Sequence, residues 1–155
     1  MKHRIIAAGA ALAVAAVGGL PAAPSSAAGE NGLIAFSAVD FDGPGFEEVF
    51  TVAPDGSGLR NLTAGIDGHA SQPVWSPDGG RILFNDGYSE AGYSFSNLWT
   101  MNADGTGATQ ITFESDPDGV GYLWQNFAPT WGPDGSEIMW MTVREGDWDI
   151  YRAGA

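Results

Sequence analysis

The sequence predicts an all-β protein made of a repeated four-stranded antiparallel meander. Three observations predict it. The phrase PVWSPDGGRILF at 73–84 returns as PTWGPDGSEIMW at 129–140. Apolar runs of three to six residues, rich in Val, Ile, Leu, Phe, Trp and Thr, alternate with gaps of Gly, Pro, Asp, Asn and Ser, which is how strands and turns look in sequence. Finally, 23 Gly and 9 Pro in 155 residues leave no later segment able to hold a long helix.

The N-terminus stands apart. Lys2, His3 and Arg4 precede an uncharged apolar run over 5–20, and 21–28 then turn small and weakly polar. That layout predicts a secretory signal peptide over 1–28, cleaved after Ala28 with Ser26 and Ala28 as the small residues. The run falls short of the roughly 20 residues of a membrane-spanning helix, so the expectation is export without membrane insertion, to the cell envelope, the periplasm or the medium. No Cys is present, which excludes both a lipid-modified Cys anchor and disulfide stapling. Without the leader, four Arg face 19 carboxylates, a net charge of −15 with no Lys. Such a surface repels phosphate backbones and anionic lipid, which excludes nucleic acid as a partner.

The repeat occupies 29–155. Ile34-Ala35-Phe36, Ile82-Leu83-Phe84 and Ile138-Met139-Trp140 align at separations of 48 and 56 residues. Val49-Phe50-Thr51-Val52, Leu98-Trp99-Thr100-Met101 and Ile150-Tyr151-Arg152-Ala153 keep step with them. PDGSGLRNLT at 54–63 and ADGTGATQIT at 103–112 follow the first two copies. A period of about fifty residues is in the range of propellers and other repeat arrays. In Ser76-Pro77-Asp78-Gly79, Pro sets φ at the first central turn position, Asp suits the next, and Gly accepts positive φ. Strands over 73–76 and 81–84 therefore form a hairpin, and 51–52 pairs with 59–62 across 54–58. One unit holds four strands, a to d.

Trp75-Ser76-Pro77-Asp78-Gly79 before Ile82-Leu83-Phe84, then Asn97-Leu98-Trp99 and Ala103-Asp104-Gly105 up to Ile111-Thr112, resembles the repeat of TolB-like β-propellers. Gly132 replaces the Ser of the motif in the last copy. The resemblance implies β-propeller blades of four-stranded meanders at about 31–63, 73–112 and 129–155. The first lacks strand a and the last lacks strand d, which leaves ten strands in an incomplete ring. The family usually carries about six blades, and propellers close with four to eight. Two expectations follow: truncation of a longer propeller, favoured because the next Asp-Gly turn falls just past Ala155, or self-association to complete the ring.

In a meander alternate connections share an end, so the a-b and c-d turns share one rim and the b-c and d-a loops share the other. The second rim is expected to gather loops over 37–48, 64–72, 85–97 and 113–128, where aromatic and acidic side chains interleave. Candidate ligand-binding residues are Phe46, His69, Tyr88, Tyr93, Asp116, Asp118, Tyr122 and Trp124, with Tyr122 and Trp124 as anchors. The resemblance implies an envelope module that holds a protein partner, without catalysis. A carbohydrate-binding or carbohydrate-cleaving propeller is the alternative, since aromatics and carboxylates also suit sugars.

Catalytic motifs are weak. Gly87-Tyr88-Ser89-Glu90-Ala91 lacks the final Gly of a nucleophile elbow and is not set between strand and helix. His69 is the one His left after the leader, and its place beside strand a suits a hydrogen bond to a neighbouring loop. Asp40-Phe41-Asp42-Gly43 and Asp116-Pro117-Asp118-Gly119 look like half of a calcium loop, without the closing Glu. Turn formation explains them; no cofactor is expected, and a weak Ca²⁺ site between these loops stays open.

Overall fold

The computed structural model of the chain describes residues 32–39, 45–90, 93–113, 125–144 and 147–155. Its ten strands are β1 (Ile34–Val39), β2 (Glu47–Val52), β3 (Arg60–Asn61), β4 (His69–Trp75), β5 (Arg81–Glu90), β6 (Tyr93–Asn102), β7 (Thr109–Gln110), β8 (Gln125–Trp131), β9 (Glu137–Arg144) and β10 (Asp147–Gly154). No helix occurs among the described residues.

Strands β1-β2-β3 form one sheet. In the second, β4-β5-β6-β7 and β8-β9-β10 are each antiparallel meanders, joined by the single parallel bridge Ser96↔Gln125 between β6 and β8. The architecture is therefore three short meanders of three, four and three strands in an open, unclosed array, matching the expected incomplete ring. The expected hairpin across the first Asp-Gly turn forms, with Thr51↔Arg60 and Phe50↔Asn61 as its register, so the pairing runs over 50–51 and 60–61 rather than 51–52 and 59–62.

Apolar side chains alternate between the two faces of each meander, so each interior sheet face meets a neighbour. Between the first and second meanders lie Val49, Ala70, Ile82, Phe84 and Met101, with Trp75 and Trp99 packed against them. Between the second and third lie Leu83, Leu98, Trp131, Ile138 and Trp140. Faces stacked in series, rather than one sandwich core, are what a repeat of this period requires.

The Asp-Gly turns share one rim and lock it. Asp55, Asp78, Asp104 and Asp134 each accept two hydrogen bonds on Oδ1 within their own turn. The donors are the Ser57, Gly80, Thr106 and Ser136 amides and the Ser57, Ser76, Thr106 and Ser136 hydroxyls, at 2.6–3.0 Å. Gly56, Gly79, Gly105 and Gly135 follow at φ +71° to +88°, which an L side chain avoids. Neighbouring turns then bond to one another. The Ala103 amide donates to Gly80 O at 3.0 Å, Arg81 Nη2 to Gly135 O at 3.3 Å and Arg60 Nη2 to Asp104 O at 3.3 Å.

One expectation fails. The loop foreseen over 85–97 is a hairpin: β5 and β6 pair without interruption from Arg81↔Asn102 to Glu90↔Tyr93. Asn, Asp, Gly and Ser over 85–89 look like a loop by composition. Cross-strand pairing along the whole ladder outweighs that weak preference. Tyr88 and Tyr93 thus stand on strands rather than in a loop.

Candidate functional site

The rim opposite the Asp-Gly turns carries the b-c and d-a connections, and its described part centres on His69, the first residue of β4. His69 Nδ1 accepts the Glu47 amide at 3.1 Å, so Nδ1 carries no proton in this arrangement. The Phe46 ring meets the imidazole edge-on at 5.1 Å between centroids. Glu47 Oε1 in turn accepts the Ser37 hydroxyl at 2.7 Å. Two sequence-predicted residues, Phe46 and His69, are brought together by the junction of β2 with β4.

Asp86, which the sequence places among the acidic residues of the 85–97 stretch but outside the eight ligand-binding candidates, completes the cluster. It is buried, and burial pushes its carboxyl up to about 6, with the neighbouring His69 pulling the other way. Its Oδ1 has no hydrogen-bond partner. Period-2 alternation carried on from Ile82 and Phe84 would have placed Asp86 on that same buried face. Gly68 leaves room for it: at φ +121°, a Cβ there would stand 2.7 Å from Asp86 Oδ1 and 3.1 Å from Gly87 O. The result is a half-open patch with an aromatic edge, an imidazole and two carboxylates, suited to grip a cationic or hydroxylated group. No three His, Asp or Glu side chains among the described residues converge to hold a metal ion.

Asp116, Asp118, Tyr122 and Trp124 lie outside the described residues, as do Asp40-Phe41-Asp42-Gly43 and Asp116-Pro117-Asp118-Gly119. Tyr88 on β5 and Tyr93 on β6 stand on the same hairpin, one and two strands from His69, whose own partner across the ladder is Gly87.

Where the second and third meanders meet on this rim, Asn126 is the fully buried polar junction. Its amide donates to Ser96 Oγ at 2.9 Å, and its Nδ2 to Ser96 O at 2.9 Å and Thr112 Oγ1 at 3.3 Å. Its Oδ1 accepts Trp140 Nε1 at 2.8 Å, and its carbonyl accepts both Ser96 Oγ and Asn85 Nδ2. Every polar atom of a buried Asn is thereby satisfied, which rigidifies the floor beneath the loops.

This geometry defines a class: a β-propeller segment with one rim sealed by turns and one left to loops. The fold is that of TolB-like propellers. The chain is similar to TolB from Acinetobacter baumannii in its crystal structure, with a TM-score of 0.51 and 20% sequence identity over 79% of this chain and 27% of that one. It spans about a quarter of the length of that protein. No family model matches the sequence, and no curated protein matches it.

Proposed function

We propose that the chain is an exported, non-catalytic propeller module that holds a protein partner on its loop rim at the cell envelope or outside the cell. One observation carries the reading: the Asp-Gly rim spends its polar groups on bonds within and between its turns, whereas the opposite rim carries Phe46, Glu47 and the exposed His69, with Asp86 buried behind them, beside the b-c and d-a connections. Aromatic area at low entropic cost suits a recognition surface, and a carboxylate beside it would select a cationic or hydroxylated group on the partner. The TolB-like fold adds the expectation of a protein partner, and the signal-peptide layout of 1–28 adds export.

The test is site-specific photo-crosslinking in the producing cell. A photoreactive amino acid at position 46 is expected to capture a discrete protein, and the same group at position 57 on the turn rim is not. Equal capture from both positions would remove the reading. So would saturable binding to one sugar class on a glycan array, lost on Trp124→Ala, which is the outcome the carbohydrate alternative requires.

A further inference from the structure

The repeat assigns each sheet face a counterpart, and that shows what belongs on the two end faces. On β5 and β6, Leu83, Asn85, Ser96 and Leu98 share one face and are covered by the third meander, with exposures of 0%, 4%, 7% and 0%. The same positions on β9 and β10 are Met139, Met141, Trp148 and Ile150, exposed by 37%, 40%, 62% and 80%. At the other end, Ile34, Phe36, Phe50 and Val52 on β1 and β2 hold the places of Ile82, Phe84, Trp99 and Met101 in the second meander. Ile82, Phe84 and Met101 are buried against a neighbour, while Ile34 is half exposed. The chain thus carries both halves of its own inter-blade contact, one at each end.

The chemistry of the first end face selects which blade can cover it. In the second meander, Asn85 and Ser96 are polar because they grip Asn126 on strand β8 of the covering meander. Met141 and Trp148 stand at those places in the third meander, and Trp148 stacks with Phe127 at 5.8 Å to widen the apolar face. A covering blade with its own strand a would press a polar backbone junction onto these apolar groups, leaving it unsatisfied. The first meander has no strand a among the described residues; its β1 is an edge.

We propose that the Met139/Met141/Trp148/Ile150 face of one copy receives the Ile34/Phe36/Phe50/Val52 face of a second copy, head to tail. Two copies make the contact twice and join six meanders, a number within the range at which propellers close. The contact uses sheet faces and leaves the loop rim free, so it stands or falls separately from the partner-binding reading.

The chain has no Cys, which makes crosslinking clean. Ile138 and Leu98, the counterparts of Ile34 and Ile150, share one core cluster, so these side chains are expected to meet. Under mild oxidation, an equimolar mixture of Ile34→Cys and Ile150→Cys chains is expected to form a disulfide between the two variants, and neither variant alone is. Sedimentation of the unmodified full chain is expected to give twice the chain mass, more so as salt screens the repulsion between two acidic copies. A chain monomeric at every concentration would overturn the proposal and leave the faces to a different partner. Disulfides formed by Ile150→Cys alone, which signal face-to-like-face pairing, would overturn it as well.

Discussion

Two tryptophans at equivalent repeat positions have different fates. Trp131 Nε1 donates to Val74 O at 3.1 Å, and the Arg81 guanidinium lies 4.5 Å over its ring. Trp75 Nε1, buried one repeat earlier, has no hydrogen-bond partner among the described residues, where the preceding meander has no strand a to offer a carbonyl. An unmade buried hydrogen bond costs more than a made one returns. Trp131→Phe should therefore destabilise the chain by about 1 kcal/mol more than Trp75→Phe, read as a difference in urea midpoints. Carboxylates divide in the same way. Hydrogen bonds from Ser57, Ser76, Thr106 and Ser136 hold the four turn aspartates below their usual range, whereas burial raises Asp86 to about 6. A lowered group contributes stability above its unfolded value of 3.8 and loses it as pH falls through the folded one. A raised acid does the opposite, binding its proton more tightly when folded, so stability drops as pH climbs from 3.8 to about 6. Thermal stability is expected to peak near the unfolded carboxylate value and to decline toward pH 6. Asp86→Asn should flatten that decline in a series of melting temperatures, and an unchanged slope would show that Asp86 titrates normally.

At the scale of the element, the ends of the short outer strands are fastened by a side chain rather than a longer ladder. Strands β3 and β7 hold two residues each, yet the next Thr reaches back to its neighbour. Thr63 Oγ1 accepts the Val49 amide and Thr112 Oγ1 the Leu98 amide, both at 2.9 Å. This is what the recurring Leu-Thr and Ile-Thr endings of the sequence motif do. Thr112→Val should cost about 1–3 kcal/mol, because it leaves a buried strand amide unpaired and also takes an acceptor from Asn126. Asn126→Ala should cost more, about 3 kcal/mol, since Trp140 Nε1, the Ser96 backbone carbonyl and Thr112 Oγ1 lose partners together. A third element-scale device is the bulge in strand a. Gln72 and Ala128 are non-Gly residues at φ +53° and +46°, each at the register shift of its own β4 or β8. The Ala128 amide donates to Gln72 Oε1 at 2.9 Å, joining the two bulges across the blades. Ala128→Gly keeps that bond and relieves the left-handed strain, so it is expected to be neutral or stabilising by up to about 1 kcal/mol in the same urea assay.

On the scale of the whole molecule, two end faces and two unlike rims organise the chain. The turn rim was legible in the sequence at its Asp-Gly pairs, which act within one local turn, so their spacing carries the geometry. The hydroxyls that bond each Asp, after it in three turns and before it at Ser76, were not read there. Strand identity was legible wherever a short apolar run stood between turn residues, as over 82–84 and 98–101. The β5–β6 hairpin was not, because Asn85, Asp86, Gly87 and Ser89 score as loop residues and their pairing depends on Ser96, Asn97 and the strand beyond. Of the candidate site, Phe46 and His69 were legible as loop-rim residues. Their contact with each other and the burial of Asp86 were not, since both arise where separate repeats meet.

What the amino-acid order determined alone is the repeat, the apolar cores of its strands, its turns and the sharing of one rim by all Asp-Gly connections, for these follow from interactions a few residues long and from the parity of a meander. Tertiary structure alone decided which faces are covered and which polar atoms find partners. Ser96 and Trp148 occupy equivalent places, yet one grips Asn126 and the other stands open. The difference comes from the neighbouring blade, whose presence no local interaction encodes.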